Sequence, residues 1–424
     1  MRSKKLTTII FIGMVLGILV GYACNTLWPD PQTATSIAGY ISLMTDIFLR
    51  LIKMIIAPLV FSTLVVGVAH MGDTKAIGRI GVKAMCWFVC ASLGSLLLGM
   101  IMVNLLRPGD NLNLPLPAAD ASTNLKVASL SLKEFVTHLV PKSAVEAMAN
   151  NEILQIVVFS LFFGVAAAAL GEKAKGVVHI IEEISQIILK ITGYIMGLAP
   201  IAVFAAMAAT ITTQGIGVLV TYGKFVVEFY FSLAILWGAL ILAGLFLLGP
   251  TVFRLTSLVR EPFLLAFSTA SSEAAYPVTM AQLEKLPVSK KIISFVLPIG
   301  YSFNLDGSMM YCTFATIFIA QAYNIELSFA QQITMLLVLM LTSKGMAGVP
   351  RASLVVIAAT LASFNIPEAG LLLIIGIDQF LDMGRSATNV IGNSLATAVV
   401  AKWEGEEVTS AGAPATPQAQ PRPA

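Results

Sequence analysis

Asp378-Gln-Phe-Leu-Asp382-Met-Gly-Arg385-Ser-Ala-Thr-Asn389-Val-Ile-Gly-Asn393 places charge where an apolar chain should have none. An apolar run, 371–377, precedes it and another, 395–400, follows it. Two carboxylates, a guanidinium and two amides therefore fall at membrane depth, at steps of four, three, four and four residues. That spacing sets all five on one face of a helix. A charge at a bilayer's centre costs about 2.5–3.5 kcal/mol on insertion scales, so such residues mark an ion or substrate path. The plainer alternative is a polar seam satisfied between helices.

The rest of the chain supplies the membrane. Of its 424 residues 57% are hydrophobic and 12% charged, about half the charge of a soluble domain. The composition is that of an all-α polytopic membrane protein. A net charge of +3 gives no reason to expect nucleic acid as a partner. Cys24, Cys86, Cys90 and Cys312 lie in apolar runs and read as small hydrophobes. Cys86 and Cys90 share a helical face, but no nearby His completes a metal set. Residues 6–28 are uncharged, too long for a signal h-region and without a small-residue cleavage site. They read as a first transmembrane helix, with Arg2, Lys4 and Lys5 holding the N-terminus in the cytoplasm.

Outward from these ends the pattern predicts a lysine-free outer connection at 29–39 and a second helix at 40–68. Asp46, Arg50 and Lys53 on that helix are expected to pair with one another. A third helix is expected at 82–106, and an outer polar loop from Arg107 to about 131. A segmented fourth at 132–170 is interrupted by Pro141 and Asn150-Asn151. A fifth covers 180–198, a short apolar stretch 199–211, and a sixth 219–248, with Lys224 and Glu228 placed to pair. Then the pattern changes. Residues 262–286 form two short apolar arms around Ser268-Thr-Ala-Ser-Ser-Glu-Ala-Ala-Tyr-Pro277, neither long enough for about 30 Å of hydrocarbon. A seventh helix, 292–323, is broken at Asn304-Leu-Asp-Gly-Ser308, and 327–364 repeats the hairpin around Ser343-Lys-Gly-Met-Ala-Gly-Val-Pro350. The eighth carries the polar stripe. Hairpin plus broken helix, twice and in opposite orientation, is the inverted-repeat plan of secondary transporters. The two tips offer free N–H groups to an anion and free carbonyls to a cation.

Those four motifs, in order, resemble the glutamate/aspartate transporter family, the dicarboxylate/amino acid:cation symporters. The likeness covers about 6–403 and is densest in the bacterial proton- or sodium-coupled glutamate branch. It implies a homotrimer in a bacterial cytoplasmic (inner) membrane. Each protomer would have eight transmembrane segments plus two re-entrant helical hairpins and work as an elevator-type transporter. It implies a cytoplasmic N-terminus at 1–5, a scaffold at 6–71 and 132–211, a transport domain at 78–106 and 215–403, and a disordered cytoplasmic tail at 404–424.

The same resemblance assigns roles. Arg385 matches the residue that binds a substrate's side-chain carboxylate, and a guanidinium is suited to a bidentate pair there. Asp382 matches the carboxylate that takes the substrate ammonium, which favours an acidic amino acid over succinate or fumarate. Asn389, Ser271, Ser272 and Ser308 match further substrate contacts, and Gly348 and Val349 line the second hairpin, the expected gate. For the serines, tip solubility is the plain alternative. Asn304, Asp306 and Asn389 match sodium ligands. Asn393 stands where sodium-coupled members carry Asp, and Phe88 and Ala91 replace a Tyr and a Thr, leaving Ser92. A hard cation prefers anionic or hydroxyl oxygen, so sodium sites built from Asn304, Asp306, Asn389, Asn393, Asp378 and Ser92 should be weakened.

Glu273 stands in the first hairpin tip where many members have Ser. Beside an anionic substrate its pKa would rise by desolvation and repulsion, which makes it the proton-coupling candidate. The alternatives are a solvated carboxylate or one paired to Arg351 or Lys344. The expected activity is proton-coupled symport of L-glutamate or L-aspartate, with sodium-coupled symport or C4-dicarboxylate:cation symport as alternatives and no cofactor beyond the coupling ion H+ or Na+. A channel or receptor is the rival class. An enzyme is not expected, because Arg385 would hold Asp378 and Asp382 both ionised.

Overall fold

A computed structural model of the chain describes residues 2–69, 74–110, 137, 140–215, 222–343, 352–375, 377–406 and 408. Among these there are helices and no strand. In chain order they are α1 (Arg2–Leu27), α2 (Pro31–Ala69), α3 (Thr74–Leu106), α4 (Ala144–Ala149), α5 (Ile153–Leu170), α6 (Lys175–Met196), α7 (Ala199–Gln214) and α8 (Gly223–Leu248). There follow α9 (Thr251–Thr269), α10 (Ser272–Leu283), α11 (Lys290–Phe303), α12 (Asp306–Ala322), α13 (Phe329–Thr342), α14 (Ala352–Ser363), α15 (Leu372–Ile375) and α16 (Asp378–Trp403). Five described stretches are long and apolar enough to cross a bilayer: Thr8–Leu27, Pro31–Ala69, Lys75–Leu106, Ile153–Met196 and Gly223–Leu248. The chain is an integral membrane protein. The tip of the second hairpin, with Gly348, Val349, Lys344 and Arg351, lies outside the described residues, as do most of the outer loop and of the tail.

The expected outer connection at 29–39 is not a loop. Only Trp28–Asp30 turn, and α2 begins at Pro31. Pro31 needs no helical donor at the first position. Asp30 accepts from the Thr33 amide at 2.8 Å and its hydroxyl at 2.6 Å, and these bonds hold its carboxyl below the usual carboxylate range. The absence of Lys and Arg does not mark a break in the helix. Asp46, Arg50 and Lys53 are exposed on α2 with no ion pair among the described residues, contrary to expectation, since each long side chain keeps more freedom apart. Lys224 likewise donates to the Arg107 carbonyl (3.3 Å), joining α8 to α3. Glu228 Oε2 is buried without a hydrogen-bond partner among the described residues.

α1 packs on α7, and α7 on α2. The first contact is made by Gly13, Gly17 and Gly21, one per turn. A Cβ at Gly13 would lie 2.7 Å from the Pro200 carbonyl oxygen, one at Gly21 2.6 Å from that of Ala208, and one at Gly17 against that of Phe204. Small residues four apart bring two membrane helices into backbone contact where lipid supplies no hydrophobic drive. Gly17→Leu should force the pair apart at a cost of about 1–3 kcal/mol or more; a normal yield of monodisperse protein in detergent would contradict this.

α2, α5, α6 and α7 pack together, while α3 and α8–α16 pack around α12 and α16. The two groups meet where α11 lies on α2 and α5 and where α9 lies on α1 and α7. The first hairpin is longer than read: its entering arm starts at Thr251, directly after Gly249 (φ 64) and Pro250 turn the chain from α8. Its tip reverses at Ala270, in the left-handed region (φ 49). The broken helix is as read, with Asn304 and Leu305 between α11 and α12.

The C-terminal end of α16 is fastened to α3. Glu404 pairs with Arg79 at 2.7 Å and Lys83 at 2.6 Å, and Lys83 also donates to the Trp403 carbonyl. The Arg79 hydrogen bonds, more than burial opposes, hold the Glu404 carboxyl below its ordinary range, with Lys83 assisting. Because the folded pKa is depressed, this stabilisation is present at neutral pH and is lost as pH falls through the folded pKa. Glu404→Gln should lower thermal stability at pH 7 by the equivalent of about 1 kcal/mol. Thermal melts across pH should show the gap to wild type closing below pH about 4, the ordinary carboxylate value.

Candidate functional site

The site is built on α16 where the broken helix meets it. Asp378 is the first residue of α16 and is 2% exposed. Arg385, two turns on, is 1% exposed. Its Nη2 reaches Asp378 Oδ1 at 3.1 Å and Asp382 Oδ1 at 3.0 Å. The guanidinium lies 4.1 Å from the centroid of the Tyr311 ring, and the Tyr311 hydroxyl donates to Asp378 (3.2 Å). One nitrogen is therefore held by two carboxylates and the plane is held by an aromatic face. Arg385 Nε and Nη1 are buried with no hydrogen-bond partner among the described residues. A buried guanidinium with two unspent donors is expensive, and Nε and Nη1 keep charge-assisted hydrogen bonds to offer an anionic acceptor. Asp382, whose side chain is 30% exposed, also accepts from the Ser386 hydroxyl (3.4 Å).

A turn further along, Asn389 closes the break in the facing helix. Its Oδ1 accepts from the Gly307 amide (2.9 Å) and the Ser308 amide (3.4 Å), and its Nδ2 donates to Ser308 Oγ (3.2 Å). The first N–H groups of α12 have no partner in their own helix, and a side chain from α16 serves them. Gly307 permits the approach, since a Cβ there would lie 2.8 Å from the Arg385 Cα and from the Thr388 Cβ.

A second polar cluster lies between α3, α11, α12 and α16. Asp306, fully buried, accepts from Asn304 Nδ2 (3.1 Å) and Ser95 Oγ (3.4 Å). Ser92 donates to the Phe303 carbonyl (3.4 Å). Asn304 Oδ1 and both amide atoms of Asn393 are buried without partners among the described residues. Asn393 Oδ1 lies against Gly300, and Asp306 Oδ2 against Gly392; a Cβ at either glycine would collide.

The first hairpin reaches the start of α16, where Phe267 and Ala270 pack with Phe380 and Met383. Ser271 is the N-cap of α10, its hydroxyl accepting from the Ala274 amide (3.2 Å). Ser271, Ser272 and Glu273 are half-buried, and Glu273 is within electrostatic reach of Tyr301. Thus the structure joins Asp378, Asp382 and Arg385 in one group, Asn389 and Ser308 in a second, and Asn304 and Asp306 in a third. Sequence reasoning missed Tyr311, Ser95 and the glycines at 300, 307 and 392. Tyr311 is one turn after Ser308 and Ser95 one turn after Ser92, so helical spacing from residues already singled out would have found both.

A sequence model of the sodium:dicarboxylate symporter family matches residues 6–403. The chain is 42% identical over 411 residues to a proton/sodium-glutamate symport protein of Bacillus caldotenax, covering 96% of each. It is 41% identical over 409 residues to a C4-dicarboxylate transport protein of Laribacter hongkongensis (strain HLHK9), covering 95% of this chain and 91% of that one. A C4-dicarboxylate transport protein of Cupriavidus pinatubonensis is 43% identical over 409 residues, 95% of this chain and 93% of the relative.

Proposed function

The chain belongs to the sodium:dicarboxylate symporter family, and from that premise we propose that it takes up acidic amino acids, L-glutamate or L-aspartate, by proton-coupled symport. The observation that carries the reading is the pair of unspent Arg385 donors, Nε and Nη1, buried without described partners beside a pair of carboxylates. Those donors receive the side-chain carboxylate; Asp382, the more exposed acid, receives the ammonium. Ser271, Ser272, Ser308 and Asn389 surround the rest, and Gly348 and Val349 form the gate. Two carboxylates against one guanidinium leave an excess negative charge, which an acidic guest increases. A cation that enters with the guest offsets it, and that requirement is the physical basis of coupling. Glu273 carries the proton.

Two alternatives have their own support. The orphaned amide oxygens of Asn304, beside Asp306, and of Asn393, against Gly300, are ligands of the type sodium takes. Asp382 is already bound to Arg385, so a guest without an ammonium leaves that bond intact, which suits a C4-dicarboxylate, the substrate in two relatives' names. The packing groups serve, in this reading, as scaffold and moving domain of an elevator, with eight membrane crossings and two hairpins in each protomer of a homotrimer.

Purified protein in liposomes decides among these. Accumulation of L-glutamate or L-aspartate driven by an inward pH gradient without sodium is expected, and Glu273→Gln should abolish the pH drive. Uptake that needs sodium and ignores pH would overturn proton coupling, and accumulation of succinate but neither amino acid would overturn the substrate.

A further inference from the structure

On the outer side of α16, away from Arg385, a groove of about 400 Å³ runs between three helices. Trp237 and Ile241 come from α8, Leu255 and Phe263 from α9, and Ile391 and Leu395 from α16. The floor is fixed. Trp237 Nε1 donates to Thr388 Oγ1 (2.7 Å), and its ring meets Phe263 edge to face with centroids 5.5 Å apart. The indole N–H is therefore spent inside the protein. The hydroxyl of Thr256, also in the wall, is spent on the Phe253 carbonyl (3.0 Å).

One polar group in the wall is left. Arg260 is exposed and has no hydrogen-bond or ion-pair partner among the described residues. Its neighbour Glu261 is buried and turned the other way, accepting from Gln282 Nε2 at 2.6 Å between the hairpin arms. Arg254, a turn and a half earlier, donates to the Lys285 carbonyl (3.0 Å). An exposed guanidinium with no partner among the described residues takes up an anion where one is at hand. Beside an apolar trough the matching ligand is a molecule with a long hydrocarbon chain and a negative head. A phosphodiester meets the planar fork of Arg with two parallel hydrogen bonds.

We propose that this groove binds one phospholipid of net negative charge, its phosphate on Arg260 and an acyl chain between α8, α9 and α16. The chain's partner here is neither lipid in bulk nor substrate, and the site does not depend on the transport reading. The lipid would span a hairpin arm and the helix that bears Arg385.

Native mass spectrometry of the full-length protein in detergent tests the site. The titrants are phosphatidylglycerol, phosphatidylethanolamine of the same chains, and palmitate. Wild type is expected to retain one phosphatidylglycerol per chain at concentrations where phosphatidylethanolamine is not held. Arg260→Gln should weaken retention by about tenfold or more, Arg260→Lys by less. Ile391→Trp, which fills the trough and leaves Arg260 in place, should also lose the lipid. Equal retention by Arg260→Gln, equal retention of the zwitterionic lipid, or undiminished retention by Ile391→Trp would each overturn the site. Palmitate competing as well as phosphatidylglycerol would overturn the phospholipid assignment.

Discussion

Arg385→Ala should abolish binding of every acidic substrate. The guanidinium is buried and pre-set by Tyr311, Asp378 and Asp382, so little is lost in ordering it when a guest arrives. Truncating one member of a buried, hydrogen-bonded charge pair costs about 2–5 kcal/mol, or roughly 30- to 4000-fold in affinity at 1.4 kcal/mol per decade. The change also strands two carboxylates, so a fall in thermal stability is expected with it. Arg385→Lys separates the two effects. It keeps the charge beside Asp378 and Asp382 but not the Nε and Nη1 donors, so stability should largely return while affinity does not. Isothermal titration with L-glutamate, L-aspartate and succinate, set beside thermal melts, reads both. Asp382→Ala is expected to weaken the amino acids more than succinate. Wild-type affinity for any acidic substrate in Arg385→Lys would remove those donors from the account.

Asp306→Asn should break the link between cation and substrate. Asp306 is fully buried beside Asn304, whose Oδ1 is orphaned among the described residues. A carboxylate at such a place is stabilised by any cation that settles next to it. Asp306 also lies one residue from Gly307, whose amide is held by Asn389 on the helix of Arg385. A cation on Asp306 thus fixes the break in the helix that Asn389 reads. Couplings of this kind amount to about 1–3 kcal/mol, or 5- to 150-fold in affinity. Under the sodium-coupled alternative, substrate titrations at high and low sodium should show that dependence in wild type and its loss in Asp306→Asn, while the pH dependence carried by Glu273 is kept. A mutant with unchanged sodium dependence would place the cation site away from Asp306.

What was legible came from spacing. The five-residue stripe marked Asp378, Asp382, Arg385, Asn389 and Asn393 as one face, and all five are on α16. Interruption by Asn304-Leu-Asp-Gly marked the break between α11 and α12, where the structure has it. Loop charges misled at 29–39, where a capping Asp and a helix-starting Pro extend α2 by about two and a half turns. Pairings read from spacing alone also failed: Lys224 found a carbonyl on α3 rather than Glu228, because a long side chain takes the best acceptor in three dimensions.

By itself the sequence determined that this chain is helical and membrane-embedded, which helix carries its buried charge, and to which family it belongs. Periodicity and composition are local properties, and they survive without knowledge of any neighbour. Only the tertiary structure decided that Tyr311 lies under the guanidinium, that Asn389 caps a helix other than its own, and that Arg385 spends one nitrogen on two acids and keeps Nε and Nη1 in reserve. Those depend on which helix comes to meet the stripe and how closely. The approach is set by glycines such as Gly307, where a missing Cβ lets two backbones touch, and the spacing of residues along one strand of sequence carries no record of the distance to another.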